Sequence, residues 1–244
     1  MLTYKPKTAY PKKASSSIMY KEMQNFIEIT DLENLQAKTV SEDGKRMYQF
    51  EGMEQKYPSV TTVTGLLNRE HIKLWRKRVG EETANKITAS ATKRGTNFHQ
   101  LVEDYLRAEK DIIIENDLQR GMFNAMQPVL DEIIPLALEA PLFSPNLEMA
   151  GRVDCVGIFD EQLCIIDFKT SGKYKEEYMA KPWFIQMTAY ALMVEELTGQ
   201  AVQECVALVA VEGLNAFQLF TCNPLDYIDD LVQLRKQYKN VYGV

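Results

Sequence analysis

The chain has 244 residues, of which 45% are hydrophobic and 25% are charged, as in an ordinary folded globular protein. Its length suits one large domain, or one domain with an added lobe. A net charge of −6 does not by itself indicate a nucleic-acid partner. The sequence contains no apolar run that could span a membrane, and its N-terminus lacks the apolar core of a secretory signal.

Positive charge is nevertheless concentrated in two segments of the chain. Residues 1–21 carry five lysines and no acidic residue, and residues 71–94 carry seven lysines and arginines against Glu81 and Glu82. A local basic surface binds a polyanion even when the total charge is negative. A solvated helix face is the ordinary alternative for either segment.

The four cysteines all fall in predicted strands and show no C-x-x-C spacing; they are Cys155, Cys164, Cys205 and Cys222. This pattern indicates neither a zinc knuckle nor a disulfide framework. We therefore expect buried, reduced thiols in a cytosolic protein.

The N-terminal part of the chain is predicted to lead into a helical lobe. Residues 1–45 are expected to form an arm and lead-in, with a short strand near 26–29. Ser59 is expected to cap a helix, because apolar residues at helical spacing follow it. The basic segment 74–79 predicts either a DNA-facing helix or a solvated helix anchored by Trp75.

A long helix is predicted over residues 83–109, broken or reset at Gly95. His99 and Glu103 lie four residues apart within it and therefore share one face. Such a pair is usually a simple surface contact. It would become a metal-facing pair if this helix packs over strands that carry carboxylates. A further helix over 118–134 and a strand over 136–143 follow.

The most informative stretch, residues 151–170, is predicted to be a strand hairpin. In its first strand Arg152 and Asp154 share a face, and Val153 and Cys155 point to the opposite face. The second strand is apolar except near its end, where Asp167 and Lys169 point the same way.

This charged cluster in an apolar sheet has two interpretations. The simpler one is a structural salt bridge between Asp167 and Lys169. The other is a divalent metal site with a catalytic lysine, because Asp154 can reach the same position and paired carboxylates are the ligands that Mg²⁺ prefers. Buried charges are costly unless they are paired or bound to metal, and both interpretations meet that requirement.

The remainder of the chain predicts a mixed sheet flanked by helices. An apolar helix over 183–197 places Gln186 and Tyr190 four residues apart on one face. Strands over 202–211 and 216–222 and a helix over 226–238 follow. The element order from residue 95 is α-α-β-β-β-α-β-β-α, which indicates an α/β fold.

Four short motifs in this order resemble those of RecB-type nucleases in the PD-(D/E)XK superfamily. They are Gly95-x-x-x-His99-x-x-x-Glu103, Gly151-Arg-Val-Asp154, Ile166-Asp-Phe-Lys169-Thr170 and Gln186-x-x-x-Tyr190. The segment Tyr57-Pro-Ser-Val-Thr-Thr-Val-Thr64 is similar to one in the mitochondrial genome maintenance exonuclease group and its phage-encoded relatives. The resemblance covers about residues 46–200.

The resemblance implies a restriction-endonuclease-like mixed sheet flanked by helices. The nuclease domain would span 46–244, with residues 59–110 as a helical lobe over the active site. The implied activity is metal-dependent exonuclease cleavage of DNA, with single-stranded DNA or DNA ends as the favoured substrate. The implied compartment is the cytoplasm of a bacterial or phage-infected cell, with the mitochondrial matrix as the alternative.

The resemblance also implies roles for individual residues. His99, Asp154, Asp167 and the backbone carbonyl of Phe168 would hold Mg²⁺ or Mn²⁺. Lys169 would position the attacking water, Gln186 and Tyr190 would support the site, and Glu103 would orient a water or His99. No iron–sulfur cluster is expected, because the cysteines lie within strands.

Candidate DNA contacts are side chains of the helical lobe and of the loop after the hairpin: Ser59, Thr61, Trp75, Arg76, Arg78, Arg94 and Lys173. The aromatic rings of Trp75, Tyr57 and Trp183 are candidates for stacking on bases. Two alternatives stay open on the same residues. One is a structure-selective endonuclease, and the other is a catalytically inactive DNA-binding protein.

Overall fold

The computed structural model describes residues 26–244. Residues 1–25 of the predicted arm and lead-in lie outside this range. The described chain contains a three-stranded sheet, a five-stranded sheet and helices on both sides of the larger sheet.

Eight strands form the two sheets. They are β1 (Ala37–Glu42), β2 (Lys45–Phe50), β3 (Lys56–Pro58), β4 (Ile134–Ser144), β5 (Met149–Phe159), β6 (Gln162–Ser171), β7 (Glu204–Val211) and β8 (Ala216–Cys222). Six α-helices accompany them. They are α1 (Val60–Thr64), α2 (Arg69–Val79), α3 (Glu81–Leu106), α4 (Asp117–Leu130), α5 (Lys181–Thr198) and α6 (Ile228–Tyr242). Short 3₁₀ helices cover Ile29–Asn34, Gly65–Asn68, Glu177–Ala180 and Pro224–Tyr227.

The small sheet is an antiparallel β1-β2-β3 meander that adjoins the start of β5. Asp43 and Gly44 both have positive φ at the β1–β2 turn, as a two-residue hairpin turn requires. Ser59 caps α1 by accepting the Thr62 N–H at 3.0 Å, as predicted, and it also forms a parallel bridge to Ala150 of β5. The meander is therefore joined to the larger sheet directly beside the predicted hairpin.

The large sheet has the order β4-β5-β6-β7-β8. All neighbours are antiparallel except β6 and β7, which run parallel and are connected through α5. A parallel pair requires such a crossover, because a tight turn cannot join its strands. This mixed sheet flanked by helices confirms the predicted fold class.

Apolar residues of β6 divide between two cores on opposite faces of the sheet. Leu163 and Ile165 join the core under α5 and α6, whereas Cys164, Ile166 and Phe168 join the core under α3 and α4. A strand that is buried on both faces has a nearly continuous apolar sequence, as the sequence indicated. Asp167 and Lys169 therefore interrupt a densely packed layer on the α5 side.

Two local predictions were wrong. The strand predicted near 26–29 is absent, because residues 26–28 have no regular structure and Ile29 begins a 3₁₀ helix that ends at Asn34. The helix α3 continues through Gly95 without a break. A Cβ at Gly95 would lie 4.0 Å from Thr170 Oγ1, so the residue brings α3 close to the end of β6.

The helix predicted over 118–134 ends earlier, at Leu130. Pro128 lies in its last turn, where the proline ring removes one backbone donor and opposes continuation. The chain then enters β4 at Ile134.

The cysteines lie one in each of the strands β5 to β8, as predicted. Within the described residues all four are free thiols, and three of them are buried, Cys222 being the partly exposed one. None of the helices between residues 26 and 244 combines the length and apolarity needed to cross a membrane.

Candidate metal centre

A gap between β5 and β6 forms the candidate site. Pairing between these strands ends at Cys155 and Ile166. Beyond that point β5 continues beside β4, and β6 continues beside β7. The Asp154 side chain occupies the gap, where its Oδ2 accepts the Phe168 N–H at 2.9 Å.

The sheet changes its alternation at Asp154. Val153 belongs to the core under α5, but Cys155 belongs to the core under α4, so the prediction that both share one face was wrong. The opposing residue on β4, Glu139, has φ of +50°, a left-handed conformation that non-glycine residues adopt rarely. This kink directs Asp154 into the gap between strands rather than toward either core.

Asp167 and Lys169 form a buried ion pair at the same gap. Asp167 is only 2% exposed, its Oδ2 contacts the Lys169 ammonium, and its Oδ1 accepts a hydrogen bond from Gln186 Nε2 at 3.2 Å. Burial raises the pKa of Asp167, an effect that Lys169 opposes. Burial acts to lower the pKa of Lys169, but the carboxylates of Asp167 and Asp154 outweigh it and the net shift is upward.

His99 reaches the gap from the other face of the sheet. It lies on α3 one turn after Gly95, and its Nδ1 is 3.4 Å from Asp154 Oδ2. Glu103 lies one turn further along the helix, where its Oε1 accepts a hydrogen bond from Arg107 Nε at 2.9 Å. The predicted packing of this helix over the carboxylate strands is therefore present.

Glu139 is a member of the cluster that the sequence reasoning missed. The neighbouring pairs Leu138–Cys155 and Ala140–Val153 place it directly opposite Asp154. One donor atom from each of His99, Glu139 and Asp154 lies within 4.8 Å of the other two. Burial, followed by the charges of Asp154 and Glu103, raises the pKa of Glu139 to about 7.

A sequence signal for Glu139 did exist. Counting back from the turn after Ser144 pairs this residue, the one acid in an otherwise apolar strand, with Asp154.

Tyr190 supports the site from α5. Its ring lies so close to Gly151 that a Cβ there would be 2.7 Å from Tyr190 Cε1 and 2.8 Å from its hydroxyl oxygen. Burial, with a further contribution from Asp154, raises the pKa of Tyr190 well above its usual value. The side chain is thus a neutral phenol that packs against the start of β5.

The donor set fits a divalent cation. One imidazole nitrogen and several carboxylate oxygens are ligands suited to Mg²⁺ or Mn²⁺. Within residues 26–244, the buried Asp167 Oδ2 receives no hydrogen bond beyond its ion pair with Lys169. The Phe168 carbonyl also faces the gap, because the N–H and C=O of one strand residue point to the same side.

The candidate DNA contacts are spread over several surfaces. Arg94 lies beside the end of β6, since its Nε is 3.5 Å from Thr170 Oγ1, but its Nη1 is paired with Glu212 Oε2 at 2.7 Å. Thr61 accepts a hydrogen bond from Arg46 Nη2 at 3.1 Å beside the buried Ser59.

The other contacts lie on α2 and on the loop after β6. Trp75, Arg76 and Arg78 are on α2, where Arg76 pairs with Glu81, and Lys173 follows β6 on an exposed loop.

Two of the three aromatic candidates for base stacking are engaged in packing. Tyr57 is buried and stacks on Phe143, so the prediction that it stacks on bases was wrong. Trp183 packs edge-on against Phe220. Trp75 is partly exposed on α2.

The C-terminal part of the chain matches a known family. Residues 116–224 match the model of the PD-(D/E)XK nuclease superfamily, a range that contains β4 to β8 and α5. This match confirms the resemblance that the ordered motifs predicted. His99 lies before the matched range.

Curated relatives carry the name mitochondrial genome maintenance exonuclease 1. The Xenopus tropicalis protein is 33% identical over 114 residues, which is 43% of this chain and 32% of the relative. The Homo sapiens protein is 28% identical over 168 residues, which is 63% of this chain and 48% of the relative. The Mus musculus protein is 29% identical over 130 residues, which is 48% of this chain and 38% of the relative. The matches thus span less than half the length of each of these relatives.

Proposed function

We propose that this chain, whose residues 116–224 match the model of the PD-(D/E)XK nuclease superfamily, is a divalent-metal-dependent DNA exonuclease. One observation carries the proposal. Imidazole, carboxylate and ammonium groups from α3, β4, β5 and β6 converge in the single gap where β5 and β6 stop pairing. The name of the relatives, exonuclease, supports the choice of activity.

The residues that would hold the ion are His99, Glu139, Asp154, Asp167 and the carbonyl of Phe168. Mg²⁺ is the proposed ion and Mn²⁺ the alternative, because oxygen atoms dominate the donor set. When bound, such an ion supplies a Lewis acid that neutralises charge developing on the phosphate and lowers the pKa of water.

Lys169 supplies a cation at the reacting phosphodiester. Its ammonium contacts the Asp167 carboxylate. The remaining N–H donors of the ammonium can hold a phosphate oxygen or the attacking water. Because the carboxylates of Asp167 and Asp154 raise its pKa, Lys169 acts as a protonated ammonium that orients the nucleophile and neutralises phosphate charge.

Gln186 and Tyr190 act as positioning residues in this proposal. Gln186 donates to one oxygen of Asp167 and thereby leaves the other oxygen to Lys169. Tyr190 fixes the start of β5 through its contact at Gly151, three residues before Asp154. Glu103 orients the site through Arg107.

Single-stranded DNA is the proposed substrate, and residues 59–110 are the proposed lobe that guides it. The exposed face of α2 carries Leu74, 65% exposed, together with Lys77 and Arg78. Apolar and cationic side chains on one surface suit a strand with unpaired bases and a charged backbone. The reducing cytoplasm of a bacterial or phage-infected cell is the proposed compartment, since the four cysteines are free thiols, and the mitochondrial matrix is the alternative.

The test is digestion of end-labelled single- and double-stranded oligonucleotides with Mg²⁺, Mn²⁺ or EDTA. We expect mononucleotides or short products from an end of single strands, and no products with EDTA. Cleavage of a circular single strand would show an endonuclease instead. Binding without cleavage under every metal condition would show an inactive DNA-binding protein.

Two variants connect this activity with the gap. Lys169→Ala and Asp167→Asn should abolish cleavage while DNA binding, measured by fluorescence anisotropy, is largely retained. Lys236→Ala, on the exposed face of α6, is the matched control and should cleave at the wild-type rate. Near wild-type cleavage by Lys169→Ala would refute the assignment of the site.

A further inference from the structure

A closed group of charged side chains holds the backbone next to Glu139. We call Glu33, Arg107 and Glu103 the bracket. Glu33 belongs to the 3₁₀ helix Ile29–Asn34, whereas Glu103 and Arg107 belong to the end of α3, and none of the three lies in the matched range 116–224.

Two bracket residues form hydrogen bonds with both polar groups of the Leu138 backbone. Leu138 N–H donates to Glu33 Oε1 at 2.5 Å, and Arg107 Nη2 donates to the Leu138 carbonyl at 3.0 Å. Arg107 Nη1 closes the ring by donating to Glu33 Oε2 at 2.9 Å. Glu33, Arg107 and the Leu138 backbone thus form a closed ring of hydrogen bonds.

Strand position explains why side chains are needed here. β4 is the edge strand of the large sheet, so one side of its backbone has no neighbouring strand among the described residues. Backbone donors and acceptors at such an edge need other partners. The bracket supplies them at Leu138, directly before Glu139, whose φ of +50° departs from strand geometry.

Arg107 also connects the bracket to the helix that carries His99. Its Nε donates to Glu103 Oε1 at 2.9 Å, and Glu103 lies four residues after His99 on the same helix face. One guanidinium therefore fixes the spacing between the strand of Glu139 and the helix of His99. The Glu33 and Arg107 side chains are each 32% exposed, so their ion pair is partly shielded from solvent.

We propose that Glu33 and Arg107 are positioning residues for the metal centre, holding the kinked backbone so that the Glu139 carboxylate faces His99 and Asp154. This inference rests on the proposed function, because it takes Glu139 as a metal ligand. It also gives the segment 29–34 a part in the site, although the sequence assigned it no role.

The first experiment measures metal affinity directly, by titrating the metal-free 244-residue chain with Mn²⁺. The Mg²⁺ concentration for half-maximal cleavage is measured in parallel. Glu33→Ala should weaken both by roughly 10–100-fold, the range typical when a group behind a metal ligand is lost. The KM for DNA at saturating metal should stay near the wild-type value. Glu28→Ala, an exposed glutamate at the start of the same segment, is the control.

The conservative variant Glu33→Gln separates positioning from a general loss of structure. It keeps an acceptor oxygen for Leu138 N–H but loses the charge that faces Arg107. Its metal affinity should fall between those of wild type and Glu33→Ala. If Glu33→Ala fails to fold, Glu33→Gln is compared with wild type in its place. Wild-type Mn²⁺ affinity in Glu33→Gln would then overturn the proposal.

A double-mutant cycle with Glu139→Gln gives the decisive result. If Glu33 acts through Glu139, adding Glu33→Ala to Glu139→Gln should cause little further loss of Mn²⁺ affinity, because coupled residues are non-additive. Full additivity would overturn the bracket while leaving the ligand set intact. Wild-type Mn²⁺ affinity in Glu139→Gln would instead refute Glu139 as a ligand and the bracket with it. Mn²⁺ binding without any DNA cleavage would refute the nuclease proposal alone.

Discussion

Gly151→Ala tests how tightly Tyr190 is held against the start of β5. The added Cβ would lie 2.7 Å from Tyr190 Cε1, about 0.7 Å short of the 3.4 Å at which ordinary contact begins. Tyr190 is 2% exposed, so its ring has little room to move away. Either the ring or β5 must shift, and Asp154 lies only three residues further along that strand.

The expected cost follows from two opposing terms. Overpacking a well-filled core typically costs about 1–3 kcal/mol. Replacing glycine with alanine restricts the unfolded chain and returns about 0.4–1 kcal/mol. The free energy of unfolding should therefore fall by about 1–2 kcal/mol, and for a chain of this size the Tm should fall by roughly 2–8 °C.

Thermal unfolding followed by circular dichroism measures this loss. Gly65→Ala is the matched control, because a Cβ there meets no atom of the described chain within 4 Å and its backbone is right-handed. It should leave the Tm unchanged or slightly higher. Tyr190→Phe in the Gly151→Ala background removes the contact with the hydroxyl but not that with the ring, so it should restore only part of the loss. A Gly151→Ala chain as stable as wild type would refute a rigidly held ring.

Two further predictions concern the metal and the pH. Mn²⁺ at about 100 times its Kd should raise the free energy of unfolding by about 2.7 kcal/mol, and Asp154→Asn should remove most of this gain; an equal gain in both proteins would place the ion elsewhere. The hydrogen bond from Lys239 lowers the pKa of Glu148 below its value in the unfolded chain. The contribution of Glu148 to the free energy of unfolding is therefore complete above the pKa that this residue has in the unfolded chain. It is lost as the pH falls through the pKa that Glu148 has in the folded chain. Because Glu148 is 41% exposed, solvent screening keeps this term under about 1 kcal/mol. Urea denaturation of wild type and Glu148→Gln should thus differ at pH 7 and converge near pH 3, and a difference that grows toward low pH would contradict the assignment.

The parts of the site that sequence predicted are those that depend on local spacing. Asp167 and Lys169 share a face because strand residues two apart must do so, and Gln186 and Tyr190 share a face because helix residues four apart must do so. The apolar run of β6 predicted a strand buried on both faces. These relations hold whatever the rest of the chain does.

The parts that were missed depend on tertiary contacts. Glu139 becomes part of the site through the β4–β5 register, which counting from the turn after Ser144 gives only when the two strands are known to pair, and through a left-handed backbone, which no residue pattern specifies. Val153 and Cys155 belong to different cores because the sheet changes its alternation at Asp154, opposite the left-handed Glu139. Gly95 suggested a break from propensity alone, but the neighbouring turns carry the helix α3 through it. Glu33 lies 105 residues before its partner Leu138, beyond the reach of any local signal.

The helix α2 differs from the rest of the fold in how it is anchored. Among its residues, Arg69–Val79, none is buried by the described chain. Opening this helix exposes little apolar surface, so its amide hydrogens should exchange through local opening at a free energy far below that of β6. The helix α2 can consequently rearrange on its own timescale, while α3 and the sheet keep the distances between His99, Asp154 and Asp167 unchanged.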